Sequence, residues 1–325
     1  MAAISDIPLP QQLHLVELRQ VRSSDLHALL DEETATWERL LDWDFRPSAS
    51  LVRRFVDMQA LTGYVLTVQG RVVGYSYFVC EDRKGLIGDL YVMEAFANVE
   101  NETVLLQAIL ESLVKTPSIR RVESQLMMLR NWPRMQIPYA PHARLFKRQY
   151  MELDLGRGAV LPASLKASQV LVDNWTERRQ DEAAALIAEA YRGHVDSEIN
   201  DQYRSPGGAR RFLLNIVQYP GCGSFFQPAS FVALDPATRR LCGLTLSSLV
   251  HADVGHITQI CVSSSVKGQG VGYELMRHSL DSLEKHACRK ASLTVTSTNT
   301  DAIRLYDRLG FRRSRDFAAL VWEGF

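Results

Sequence analysis

The amino-acid sequence predicts an α/β chain, mixed sheets covered by helices, in two domains of similar build. Three observations predict it. The 325 residues are about twice the roughly 150 that one domain usually takes. Short apolar runs alternate along the chain with amphipathic, Ala- and Leu-rich segments. In the second half, a glycine-rich turn joins such an apolar run to the start of a helix. With 46% hydrophobic and 23% charged residues, the chain can fill two cores and is unlike a disordered protein.

The first half reads in order. Leu13–Leu18 predicts a strand, Asp25–Leu41 and Ser50–Leu61 helices, and Tyr64–Val68, Val72–Cys80 and Leu86–Val92 strands. Val104–Val114 then predicts a helix and Val122–Leu129 a strand. Residues 157–168 carry Gly, Pro, Ala and Ser without periodicity and predict a linker between domains 1–156 and 169–325. In the second domain Val170–Val172 predicts a strand and Asp181–Tyr191 a helix. Ala209–Gln218, introduced by the Ser205–Gly208 turn signal, predicts another helix. Phe231–Leu234, Leu241–Val250 and Gly255–Val262 follow as strands, the first two flanking an Asp-Pro turn. The remaining elements are a helix over Val271–His286, a strand over Ala291–Ser297, a helix over Asp301–Leu309 ended by Gly310, and a strand over Phe317–Trp322.

The common rhythm predicts a duplication. An offset of 170 places Leu90 on Ile260, Val92 on Val262 and Leu105 on Leu275. An offset of 160 places Leu145–Arg148 on Leu305–Arg308.

Charge and cysteine content exclude several function classes. The 37 Lys+Arg balance 37 Asp+Glu, so the surface as a whole is not built to grip nucleic acid or an anionic membrane. No apolar run approaches the ~20 residues of a bilayer span, and the N-terminal residues lack the pattern of a secretion signal. The five cysteines are scattered, without a Cys-x-x-Cys pair, which predicts free thiols in a reducing cytoplasm and no metal site.

The motif that carries chemistry is Lys267-Gly268-Gln269-Gly270-Val271-Gly272, between a strand and a helix. Alternating glycines let the backbone approach a ligand and point successive N–H groups one way, and the following helix adds its positive end. Such a turn suits a phosphate or pyrophosphate. It is not a P-loop, which ends Gly-Lys-Ser/Thr where this chain has Tyr273 and Glu274. It is not the dinucleotide fingerprint either, which needs glycine at Tyr273.

On these residues the sequence resembles the GNAT superfamily of acetyl-CoA-dependent N-acetyltransferases. Ile257-x-x-Ile260-x-Val262 followed by Lys267–Gly272 is similar to that family's strand and cofactor loop, Arg/Gln-x-x-Gly-x-Gly/Ala. Asn299-Thr-Asp-Ala302-Ile-Arg-Leu305-Tyr306-Asp-Arg-Leu-Gly310-Phe311 resembles its second signature. Two departures stand out: Lys267 replaces Arg or Gln, losing the guanidinium fork, and Ser264 stands where proline is frequent, predicting a less rigid approach to the loop.

The resemblance implies the rest of the site. Two tandem GNAT-like domains are expected, the second binding acetyl-CoA as acyl donor through Ile260, Cys261, Val262, Lys267, Gly268, Gln269, Gly270, Val271, Gly272 and Asn299. In the family the strands matching Gly255–Val262 and Ala291–Ser297 splay apart, and pantetheine pairs with backbone groups, here those of Ile260 and Val262. An N–H near Ile260 would polarise the thioester carbonyl. Tyr306 matches the position of a phenol that serves the departing thiol. His256 lies where several members carry a Glu or His base. Asn299 either contacts the pantetheine arm or simply caps the following helix, and both roles are compatible. Cys261 has no evident His partner and is not expected to be a nucleophile.

The first half lacks these features. At the 170 offset Asn98, Glu100 and Glu102 replace the three glycines, and at the 160 offset Phe146 replaces Tyr306. Arg120, Arg121, Arg130, Arg134, Arg144, Lys147 and Arg148 lie among aromatic residues; a solvated basic face is the favoured reading, binding of RNA or an anionic substrate the other. The function expected is direct acetyl transfer to a primary amine of a small molecule or peptide, without metal, nucleic acid or membrane. Asp196, Glu198 and Asp201 either attract that amine or form a solvated loop. A non-catalytic acetyl-CoA sensor and a transferase of another acyl group are the alternatives.

Overall fold

The computed structural model describes residues 13–156, 170–219 and 221–325. The linker expected at 157–168 lies outside the described residues. In chain order the elements are β1 (Leu13–Glu17), α1 (His27–Leu41), α2 (Arg46–Asp57), β2 (Thr62–Val68), β3 (Arg71–Glu81), β4 (Lys84–Val92), α3 (Val99–Val114), β5 (Arg121–Leu126) and β6 (Ala143–Asp154). There follow β7 (Leu171–Asn174), α4 (Gln180–Ala190), α5 (Val195–Ile199), α6 (Pro206–Gln218), β8 (Ser224–Phe225), β9 (Phe231–Leu234), β10 (Leu241–His251) and β11 (Val254–Val262). The chain closes with α7 (Val271–Lys285), β12 (Lys290–Thr296), α8 (Thr300–Leu309) and β13 (Arg312–Glu323). No helix among the described residues is long and apolar enough to cross a membrane.

The chain packs into two units, and neither is contiguous in sequence. The first comprises residues through Thr36, Ala49–Leu145 and Ala318–Phe325; the second comprises Trp37–Ser48 and Phe146–Phe317. In the first unit β1, β2, β3 and β4 pair antiparallel, β4 pairs parallel with β5, and the Ala318–Glu323 end of β13 pairs antiparallel with β5. In the second, β7, β9, β10 and β11 pair antiparallel, β11 pairs parallel with β12, and β6 pairs antiparallel with β12. The two end strands are therefore exchanged: β6, from the first half of the sequence, closes the second unit, and the last strand closes the first.

The duplication at offset 170 is visible in the element limits. Arg71–Glu81 answers Leu241–His251, and Lys84–Val92 answers Val254–Val262. Each unit carries a mixed sheet, as the sequence predicts. The 160 offset is corrected. Leu145–Arg148 belongs to strand β6 whereas Leu305–Arg308 belongs to helix α8, so Phe146 is not the counterpart of Tyr306. The counterpart of β6 is β13, a strand of the same 12 residues' length.

The second unit buries both faces of its sheet. Ala183, Leu186 and Ile187 of α4 with Leu213 and Ile216 of α6 pack on Val232, Leu234, Leu244 and Leu246. Met276, Leu280 and Leu283 of α7 with Tyr306 and Leu309 of α8 pack on Ile257, Ala291 and Leu293, while Val271 and Leu275 meet Ala233 and Cys242. Burying each of the Leu, Ile, Val and Met side chains contributes about 1.5–3 kcal/mol. Local signals set the helix ends. The Ser205 side chain accepts from Gly208 N with Pro206 at the first turn of α6, and Gly310 at φ +94 ends α8.

Candidate active site

The site begins with a registry error in the sheet. Leu246 pairs with Gln259 and Ser247 with Ile257, so Thr258 is an extra residue in β11, its hydroxyl donating to Leu246 O at 3.0 Å. Beyond this bulge the strands part company. The β11–β12 pairing runs only from Val254↔Lys290 to Ile257↔Leu293, although β11 continues to Val262 and β12 to Thr296. The backbone from Thr258 to Val262 thus has an edge that β12 does not cover.

Which groups line that edge follows from alternation. Ser263 N donates to Cys242 O at 2.8 Å, so residues 263 and 261 turn their main-chain groups toward β10. Ile260 and Val262 turn theirs the other way, and the Ile260 carbonyl accepts from Tyr191 Oη at 3.3 Å. Ile260 and Val262 are thus the residues whose main-chain groups face the open edge. The same alternation corrects Cys261 as a cofactor contact, because its main chain serves β10 and its side chain lies in the core under α4 and α6. Burial also pushes the Cys261 thiol far up, which removes any nucleophilic role.

The glycine-rich turn delivers N–H groups to one place. Gly268 and Gly270 hold φ of +79 and +84, values that side chains oppose. Gly270 is the N-cap of α7 and offers no side chain to the helix, whose first main-chain bond is Glu274 N to Gly270 O at 3.0 Å. Among the described residues, the N–H groups of Gly268, Gly270, Val271 and Gly272 have no protein acceptor. Four such donors at the positive end of a 15-residue helix fit a pyrophosphate. Gln269 folds back, its side chain donating to Ser265 O at 3.2 Å, and Lys267 stands exposed 3.7 Å from Asp301.

Ser264 does not loosen the approach to this turn. Its N and Oγ both donate to Glu189 Oε1, at 3.3 and 2.5 Å, and this bonding holds the Glu189 carboxyl below the usual carboxylate range. Glu189 escaped sequence reading because its partner lies 75 residues away and no local pattern joins them. Asn299 is the N-cap of α8, accepting from Ala302 N at 3.3 Å.

Tyr306 lies on α8, buried against the β12 side of the gap, with Phe311 at 6.0 Å. Among the described residues no group hydrogen-bonds its hydroxyl. Burial, then the charge of Asp196, pushes this phenol well above its ordinary value, with Arg148 opposing. It is a neutral donor at any physiological pH.

His256 is corrected. Its ring is only 4% exposed, between Trp43 at 5.1 Å and Tyr150 at 6.0 Å, with Nδ1 2.9 Å from Ser292 Oγ. Burial, reinforced by Arg148, lowers its pKa to about 3. An imidazole so depressed and enclosed is a poor acceptor for an ammonium proton. Among the described residues no group of three or more His, Cys, Asp or Glu is arranged to hold a metal ion.

The first unit repeats the frame without the site. A bulge falls between Tyr77 and Phe78 opposite β4, and the β4–β5 pairing stops at Ile87↔Ser124. There the α3 N-terminus is closed by the Asn98 side chain, which accepts from Asn101 N. Glu102 does not face a ligand. Its buried carboxylate accepts from Arg130 N at 3.2 Å and Asn131 N at 2.9 Å, drawing the chain after β5 onto the helix. No α-helix follows β5 before β6, so this unit has no counterpart of α8 and its tyrosine. The basic stretch is largely neutralised. Arg121 pairs with Glu123 and Glu323, Arg130 with Glu94, Arg144 with Glu323 and Lys147 with Asp316, while Arg148 bonds Thr294.

The site thus consists of a bulged, splayed parallel strand pair beside an uncapped glycine-rich helix start. Residues 195–311 match the Acetyltransferase (GNAT) family. Among curated proteins, the mycothiol acetyltransferase of Acidimicrobium ferrooxidans is 38% identical over 105 residues, 31% of this chain and 33% of that one. That of Gordonia bronchialis is 27% identical over 168 residues, 51% of this chain and 52% of that one. These matches thus span a third to about half the length of the relatives. A GCN5-related N-acetyltransferase from Sphaerobacter thermophilus superposes with a TM-score of 0.69 at 17% identity, covering 97% of this chain and 96% of that one. A tandem GNAT protein from the clavulanic acid biosynthesis pathway gives 0.61 at 16%, covering 96% and 98%. These likenesses establish the tandem fold.

Proposed function

We propose that the second unit is an acetyl-CoA-dependent N-acetyltransferase acting directly on a primary amine, in a reducing cytoplasm that suits the chain's five free thiols. The observation that carries this is the uncovered edge at Ile260 and Val262, directed into the gap that Tyr306 borders and next to the unpartnered N–H groups of α7. Acetyl-CoA supplies an activated thioester. In this reading Ile260 and Val262 bind the pantetheine amides and the glycine-rich turn binds the pyrophosphate. The Ile260 N–H supports the negative charge that grows on the thioester oxygen as the amine attacks. Tyr306 donates a hydrogen bond to the sulfur as the C–S bond breaks. With pKa ~8.5 for a thiol, Tyr306 steadies the thiolate better than it protonates it outright. His256 takes no proton; an amine arriving unprotonated, or a water at the edge, removes that need.

The family assignment and the mycothiol acetyltransferase likeness support acyl transfer, with an amine-bearing small molecule as acceptor. Steady-state assays of coenzyme A release with acetyl-CoA and a panel of amines test the reading. Release that depends on one or more amines is expected. Tight coenzyme A binding with no release for any amine would instead favour a sensor.

A further inference from the structure

Glu189 sits where a helix does not favour an acid. It lies in the last turn of α4, which carries no basic residue, so its carboxylate meets the negative end of the helix. What offsets this placement is a bond outside the helix. Glu189 Oε1 accepts from Ser264 N at 3.3 Å and from Ser264 Oγ at 2.5 Å. Two donors of one residue on one ionised oxygen make a charge-assisted contact, stronger than a neutral hydrogen bond.

Ser264 opens a single 3-10 turn, Ser264–Val266, between β11 and the glycine-rich turn. From there the constraint passes along the main chain. Val266 N donates to Ser263 O at 3.1 Å, Lys267 N to Ser264 O at 3.4 Å and Gln269 N to Val266 O at 3.3 Å. The Gln269 side chain adds its bond to Ser265 O. Gln269 stands between Gly268 and Gly270, whose N–H groups have no protein acceptor among the described residues. Where those donors point therefore depends on where the 3-10 turn sits. Before it, Ser263 N is tied to Cys242 O at 2.8 Å. After it, the exposed Lys267–Asp301 pair at 3.7 Å is a loose tie. Between these, Glu189 fixes the turn against a helix of the core.

We propose that Glu189 is a positioning residue of the coenzyme A site: through Ser264 it holds the 3-10 turn, and with it the N–H groups of Gly268 and Gly270, where a pyrophosphate binds. This rests on the acetyltransferase reading and adds to that site a residue of α4. The carboxylate serves as an acceptor for Ser264 and not as a ligand for the anion, which its charge would repel. A ring can supply the same constraint. Ser263, the residue before the turn, holds φ −54 and ψ 143, the extended form that a following proline requires, and the first position of a helical turn tolerates proline. Ser264→Pro gives up an N–H whose acceptor is Glu189 and fixes φ without it.

The test is backbone hydrogen exchange of the ligand-free full chain beside calorimetric titration with coenzyme A. Glu189→Ala is expected to speed exchange at Val266, Lys267 and Gln269, with α4 and β11 exchanging as in the native chain. It should weaken coenzyme A about fivefold or more, the loss of a hydrogen bond to a charged group. Ser264→Pro added to Glu189→Ala should restore exchange and affinity to within about twofold of native, a rescue that damage to α4 itself would not show. Native-like exchange or native-like affinity in Glu189→Ala overturns the proposal, as does a loss spread over α4 or one that Ser264→Pro leaves unrepaired. Exchange that responds to both substitutions in a chain that binds no coenzyme A even with Glu189 intact would leave the tie to Ser264 standing and sink the acetyltransferase reading instead.

Discussion

Tyr306 and His256 are both buried rings in the second unit, yet environment gives them opposite prospects. Tyr306 keeps its proton and borders the gap, so Tyr306→Phe should lower kcat by about 100-fold while leaving coenzyme A affinity within twofold. Steady-state kinetics beside calorimetry checks this, and unchanged turnover would remove its role. For His256 the consequence is a pH dependence of stability. Its folded value is about 3 against 6.5 for an ordinary histidine. Between these the unfolded chain binds a proton that the folded chain refuses, so stability falls as pH drops below 6.5 and is unaffected above it. Chemical denaturation from pH 4 to pH 8 should show that slope, and His256→Gln should flatten it. Sequence alone identified both residues but could not weigh them, because proximity of Trp43, Tyr150 and Arg148 is a property of the folded unit.

Among the elements, the strand–turn–helix of the site was the most legible, since its glycines serve backbone conformation and leave a direct mark in the sequence. Gly268→Ala meets no atom within 4 Å and so suffers only from its left-handed φ. Gly270→Ala carries the same strain at the helix start. Each should lose about 1–2 kcal/mol by denaturant titration and weaken coenzyme A at least tenfold. Gly272→Ala meets Leu305 and Val262 at an ordinary 3.6 Å and should fold as the native chain does. The least legible element was β6. Its Arg144, Lys147 and Arg148 read as part of a basic surface, whereas in the structure they lie along a strand whose pairing with β12 comes from more than 130 residues away. Long-range pairing leaves no local periodicity, and the same holds for Glu189 with Ser264 and for Glu102 with Arg130 and Asn131.

For the whole molecule, the exchanged end strands matter most. A cut at 157–168 deprives β12 of its seven paired residues on β6 and β5 of the buried Ala318–Trp322 run. Unpaired apolar strand edges aggregate, so residues 1–156 and 169–325 expressed separately should be insoluble, and co-expressed should recover a soluble species by size-exclusion chromatography. The duplication pointed to two units, but not to their limits: in place of 1–156 and 169–325, each unit takes in a piece of the other half of the chain. The exchange was not readable, because nothing in a strand's own residues says which sheet it joins.

Duplicated frames also set the stoichiometry. The first unit closes its helix start with Asn98 and ties Glu102 to the chain beyond β5, while the second leaves its donors unspent. Calorimetric titration of the intact chain with coenzyme A is therefore the most direct measurement. One molecule bound per chain, abolished or strongly weakened by Gly270→Ala, is the result expected; absence of binding, or two molecules per chain, would contradict a lone acyl-donor site in the second unit.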